Sequence, residues 1–145
     1  LRKARTELLE RDATFVLVNG DLILDSQKRG VAPILDILSG DASIYLKHAV
    51  IADKVIGRAA ALLLVLGGVD ALDTHLISDH AIDIFEKYDI PYTYDKNVPY
   101  IVNREGTDMC PMEKAVLGID DPAAAKEAIL SRIAELRRSQ ETGRP

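Results

Sequence analysis

The chain has 145 residues, 48% of them hydrophobic and 28% charged, with a formal net charge of −5. That composition describes one compact globular domain, and the acidic balance argues against a general nucleic-acid or acidic-membrane binder. A single cysteine excludes an internal disulfide, and no apolar run approaches the roughly 20 residues that a membrane-spanning helix needs.

Residues 2–11 carry a helical pattern with Ala4, Leu8 and Leu9 toward one face. The short start Leu1-Arg2-Lys3 has no apolar signal core behind it, which predicts a cytoplasmic protein. Next, Phe15-Val16-Leu17-Val18 and Asp21-Leu22-Ile23-Leu24 flank Asn19-Gly20. Asn-Gly supplies the positive φ angles of a type I′ turn, so this stretch predicts a hairpin. A polar loop over 25–30 leads to a short helix over 31–38, with Pro33 in its first turn and Gly40 just beyond. Lys28-Arg29-Gly30 in that loop reads as solvated, with an anion contact as the alternative.

The stretch 52–66 is apolar nearly all round beyond Arg58, which predicts a buried helix stopped by Gly67-Gly68. Residues 71–77 read as a strand carrying a satisfied His75. Ser78 and Asp79 read as the cap of a helix whose stripe Ile82, Phe85 and Tyr88 points inward. Ile90-Pro91 breaks that helix, Tyr92-Thr93-Tyr94 forms the next strand, and Tyr100-Ile101-Val102 a further short one. Asp121-Pro122 opens a last helix with Ala125, Ile129, Ile133 and Leu136 on one stripe; its basic residues from Lys126 onward form a solvated face. A hairpin followed by alternating helices and strands implies an α/β, three-layer α-β-α fold with a central mixed sheet. It forms a single domain over 1–138 with a frayed tail over 139–145.

The densest local chemistry lies over 103–114, where a polar loop turns into a helix at Cys110-Pro111. Pro111 suits the first helical position, and Glu113 falls three residues after Cys110. Cys110 therefore occupies the Ser/Thr slot of a capping box, where the helix N-terminus favours a thiolate. Arg104 and Lys114 are candidate cations beside it, while Asp108 or Glu113 could oppose ionisation. An inert packing cysteine is the alternative.

The segments 50–63 (Val50-Ile51-Ala52-Asp53-Lys54 through Leu63), 98–104 (Val98-Pro99 through Asn103-Arg104) and Cys110-Pro111-Met112-Glu113-Lys114-Ala115 resemble the domain of unknown function 1893 family. The resemblance runs from about Leu8 to about Ile129. It implies the architecture of uncharacterised prokaryotic proteins with a cytidine-deaminase-like fold. Zinc deaminases open one buried helix with His-x-Glu and the next with Pro-Cys-x-x-Cys. Against that pattern the two helix starts here carry Ala52-Asp53-Lys54 and Ser78-Asp79-His80. Only His80 could ligate zinc well, and His48, His75 and Cys110 are scattered, so neither a metal nor another cofactor is expected.

The expected site then joins the start of the 52–66 helix to the 103–114 loop. Asp53, Lys54 and Cys110 are its candidate catalytic residues: Lys54 orients or polarises a ligand, Asp53 fixes Lys54, and Cys110 attacks or hydrogen-bonds. Asn103, Arg104, Glu113 and Arg58 are the candidate ligand-binding residues, since a planar guanidinium suits carboxylate or phosphate. Asp53 could instead cap the helix and pair with Arg58, while Lys54 snorkels to water. Gly57 is expected to permit close packing. The expected partner is an anionic or nucleotide-like small molecule, with a homodimer possible. A non-catalytic regulatory domain and a redox-sensing thiol protein are the alternatives.

Overall fold

The structure, a computed structural model, describes residues 1–142. A helix α1 (Arg2–Glu10) precedes the hairpin of β1 (Phe15–Asn19) and β2 (Leu22–Ser26). Asn19 pairs with Leu22, so the two loop residues are Gly20 and Asp21, one position later than the Asn-Gly reading. Gly20 takes the left-handed backbone with φ +60°. Asn19 uses its side-chain amide to donate to the carbonyls of Tyr45 (2.9 Å) and Lys47 (3.1 Å).

After α2 (Ala32–Leu38) and a short 3₁₀ helix (Asp41–Tyr45), the chain departs from the sequence reading. Val50–Ile56 is a strand, β3, and the helix expected to start at Ala52 starts only at Arg58, as α3 (Arg58–Gly67). The strand wins because Val50, Ile51, Val55 and Ile56 are β-branched and the segment has a partner on each side. Asp53 lies opposite Phe15 of β1 in antiparallel register. On its other side it lies opposite Thr74 in parallel register, on β4 (Ala71–Ser78). The helix itself is buried through Ala59–Leu64, as its all-round apolarity demands. It ends where Gly68 turns left-handed at φ +82°.

Ser78 caps α4 (Asp79–Lys87), its hydroxyl accepting from the Ala81 amide at 3.1 Å. Then β5 (Tyr92–Val98) completes a five-stranded sheet of order β2-β1-β3-β4-β5. Residues 100–102 do not make another strand; only Val102 forms an isolated bridge, to Met109. Two last helices follow, α5 (Pro111–Ala115) and α6 (Pro122–Thr142). The last helix runs through Thr142, and residues 143–145 of the expected tail lie outside the described residues.

Strand alternation sorts the two faces. Val16 and Ala52 face α1, together with Ala4 and Leu8. Phe15, Leu17 and Ile51 enter the larger core with residues of α2, α3, α4 and α6, including Ile34, Leu62, Phe85 and Ile129. The sheet is thus covered on both faces, and Asp53 shares the face of Ile51. No helix among the described residues is long and apolar enough to cross a membrane.

Candidate functional site

Beyond β5, residues 101–110 double back on themselves. Met109 bridges Val102, the Cys110 amide donates to the Ile101 carbonyl (2.8 Å), and the Asn103 amide donates to the Asp108 carbonyl (2.8 Å). Asn103 Oδ1 accepts from the Thr107 amide at 3.0 Å, closing the loop tip. This fold carries Asn103, Arg104 and Cys110 to the end of β3. There they border a cleft of about 830 Å³ with Asp53 and Lys54, so two stretches some fifty positions apart do meet. Thr14, Lys28, Arg29, Glu105, Glu113 and Leu136 are also in its walls.

The capping box does not form. Cys110 is the N-cap of α5 with Pro111 following, but its side chain makes no cap hydrogen bond. Glu113 turns away from its own helix and caps α3. Its Oε1 accepts from the Arg58 amide at 2.7 Å and its Oε2 from the Ala59 amide at 2.8 Å. A carboxylate on two unpaired amides at a helix N-terminus is favoured by both charge and hydrogen bonding. Gly57 makes room for it, because a Cβ there would lie 2.2 Å from Glu113 Oε1. Burial pushes the Glu113 carboxyl up, and the two amides pull it back.

Arg58 does not reach Asp53 and does not line the cleft. Its Nε donates to the Val116 carbonyl (3.1 Å), and its Nη2 to the Ile119 carbonyl (2.7 Å) and to Asp120 Oδ1 (2.5 Å). Those contacts fasten the turn between α5 and α6 onto α3. Lys114 pairs with Asp108, which leaves neither as a partner for the thiol. His75 is satisfied, as expected, through Asp95 at 3.1 Å, in a smaller cleft of about 440 Å³ beside α1 that Lys54 also borders.

Asp53 caps no helix. It is 5% exposed, and its Oδ1 accepts from the Val55 amide at 3.3 Å. Its Oδ2 is buried with no hydrogen-bond partner. Burial pushes this carboxyl up from 3.8 to about 8, against weaker opposition from the Val55 and Lys54 amides. Arg29, Lys54 and Arg104 border the same cleft, none with a side-chain partner among the described residues. Lys28 is held by Asp36 at 2.7 Å. Arg29 is the cleft residue that sequence reasoning set aside; its only signal was a basic pair before Gly30.

With α3 beginning at Arg58, the residues at the first helix start are Gly57-Arg58-Ala59 rather than Ala52-Asp53-Lys54. None of the three is a zinc-ligand type. Among the described residues, no group of three or more His, Cys, Asp or Glu is placed to hold a metal ion.

No curated protein matches this chain. A crystal structure of a DUF1893 family protein from Thermotoga maritima is similar to it, with a TM-score of 0.82 and 27% sequence identity. The match covers 90% of this chain and 88% of that one. The family model described as domain of unknown function (DUF1893) matches residues 3–133. The chain belongs to the DUF1893 family.

Proposed function

We propose that the cleft at the end of β3 binds an anionic, nucleotide-like small molecule, on a deaminase-like scaffold that works without the zinc motifs. The observation that carries this reading is the set of unpaired cations. In a chain of net charge −5, Arg29, Lys54 and Arg104 border one cleft with no carboxylate partner of their own among the described residues. Cations converging on a concave surface raise the local concentration of anions and pair with them on arrival. A volume of about 830 Å³ suits a ligand of nucleotide size, since small-molecule sites span roughly 300–1,000 Å³. Cys110, partly buried on the same wall, is the side chain set to touch or attack such a ligand. Arg58 and Glu113 hold the wall rather than the ligand.

Thermal unfolding with inorganic phosphate, sulfate, nucleotides and sugar phosphates tests the reading. A ligand that binds only the folded chain raises Tm by mass action. The wild type is expected to gain several degrees with at least one phosphorylated compound. Arg104→Ala and Lys54→Ala are each expected to weaken that ligand roughly tenfold, the loss of about 1.4 kcal/mol of charge-assisted pairing. An unchanged Tm across the panel, or variants that bind as the wild type does, would reject it. Protection of Cys110 from iodoacetamide by the same ligand locates the binding at this wall.

A further inference from the structure

Apart from the three cations, several polar side chains of the cleft are already partnered, and one that is buried is not. Glu113 is committed to α3, Lys28 to Asp36, and Asn103 to its own loop. Asp53 is buried, with Oδ1 held by a backbone amide and Oδ2 unmatched by any donor or acceptor. A polar atom left this way inside a fold needs an explanation, because nearly all buried polar groups find a partner. Its neighbours in register, Phe15 on β1 and Thr74 on β4, supply none; the Thr74 hydroxyl donates to the Leu76 carbonyl.

The other charged and titratable groups that line the cleft come from three places in the chain. Lys28 and Arg29 stand before α2, Lys54 follows on β3, and Arg104, Glu105, Cys110 and Glu113 come from the loop and start of α5. None hydrogen-bonds the free oxygen. A bare carboxylate at the floor of a cationic cleft would repel the anion that the rim attracts, whereas an uncharged acid offers that anion a proton. We infer that Asp53 is the hydrogen-bond donor of this site, an uncharged carboxylic acid giving its Oδ2 proton to an oxygen of the anion that Arg29, Lys54 and Arg104 pair with. This rests on the reading of the cleft as an anion site. It narrows the ligand to an oxyanion that presents an unprotonated oxygen to the floor, such as a phosphate ester or a carboxylate. A ligand presenting N–H or O–H would select the ionised Asp53 and give the opposite pH dependence. Burial of the carboxyl supports the acid form, since it lifts the group to about 8.

The test uses sulfate, whose charge is constant over the relevant range, with calorimetry on the wild type and on Asp53→Asn. Binding that needs the acid form weakens as pH rises through the Asp53 titration, by roughly tenfold between about pH 6.5 and about pH 9. Asn offers an amide N–H in place of the acid proton. Asp53→Asn is therefore expected to hold its affinity within about twofold over that range, near the low-pH value of the wild type. Titration of the wild type in two buffers of different ionisation enthalpy adds a reading that needs no variant. It should show uptake of about one proton per sulfate near the upper pH. A pH dependence shared by wild type and variant, or wild-type affinity that rises with pH, overturns the inference and leaves the anion site standing. Sulfate that binds neither protein at either pH overturns both.

Discussion

Two buried carboxylates border the same cleft, and they are in opposite states. Glu113 is 5% exposed with both oxygens on backbone amides of α3, while Asp53, equally buried, keeps one oxygen unmatched. The first is a structural joint: it satisfies a helix terminus that has no local cap. The second has an oxygen with no partner among the described residues, and the proposed anion supplies one. Burial alone does not separate a structural acid from a functional one; the partner count of each oxygen does.

The largest effect expected from breaking this contrast lies on the Glu113 side. Glu113→Ala leaves two buried amides unpaired and should cost about 3 kcal/mol in urea unfolding. Gly57→Ala, which drives a methyl into the Glu113 carboxylate, should cost about 2 kcal/mol by the same measurement. A loss under about 0.5 kcal/mol in both would deny Glu113 its role as the cap of α3.

Arg58 sharpens the comparison from outside the cleft. Its guanidinium serves the carbonyls of Val116 and Ile119, so Arg58→Ala should cost about 2 kcal/mol. Sulfate affinity of the folded variant should equal that of the wild type. A selective loss of binding without a loss of stability would return Arg58 to the ligand.

Asp53 predicts a slope with pH. Its folded carboxyl lies near 8 against 3.8 when free, so between those values the folded chain holds a proton that the unfolded chain has released. Stability from this group is therefore complete below about pH 4, falls as pH rises, and levels off above about pH 8, by at most about 1.4 kcal/mol per unit. Asp53→Asn should remove that downward slope in urea titrations run across the range. Parallel pH profiles for the two proteins would contradict it. The smallest effect is expected at Lys54, exposed and without a partner among the described residues. Lys54→Ala should leave stability within about 0.5 kcal/mol while weakening anions.

Much of the fold is legible in the chain because its signals are local. Gly20 at the hairpin, Ser78 at the start of α4 and the Ala125–Ile129 spacing on α6 each act within a few residues. The β3–α3 junction is not legible that way. Val50 through Leu66 is one nearly continuous apolar run, and a buried strand feeding a buried helix has no period to mark the change. Asp53-Lys54 interrupts the strand itself rather than the junction, and Gly57, which marks the junction, makes room for Glu113, a residue distant in sequence.

The site was legible as a meeting of two segments, carried by family resemblance, but its division of labour was not. The Cys110-x-x-Glu113 spacing looks like a capping box. In the fold α5 has only five residues, and α3 presents its bare N-terminus nearby, so the carboxylate goes to the longer helix. Arg58 likewise stands one turn beyond Lys54, and near Asp53, only if the segment is a helix. Once 50–56 is a strand, the alternative pairing of Asp53 with Arg58 disappears.

The charge of Asp53 is read directly by carboxyl-carbon NMR of the aspartates, titrated with and without sulfate. One aspartate signal, absent from Asp53→Asn, should titrate near 8 in the free protein and move higher when sulfate is present. An Asp53 signal that titrates in the ordinary range near 4, or that moves downward on adding sulfate, would contradict it.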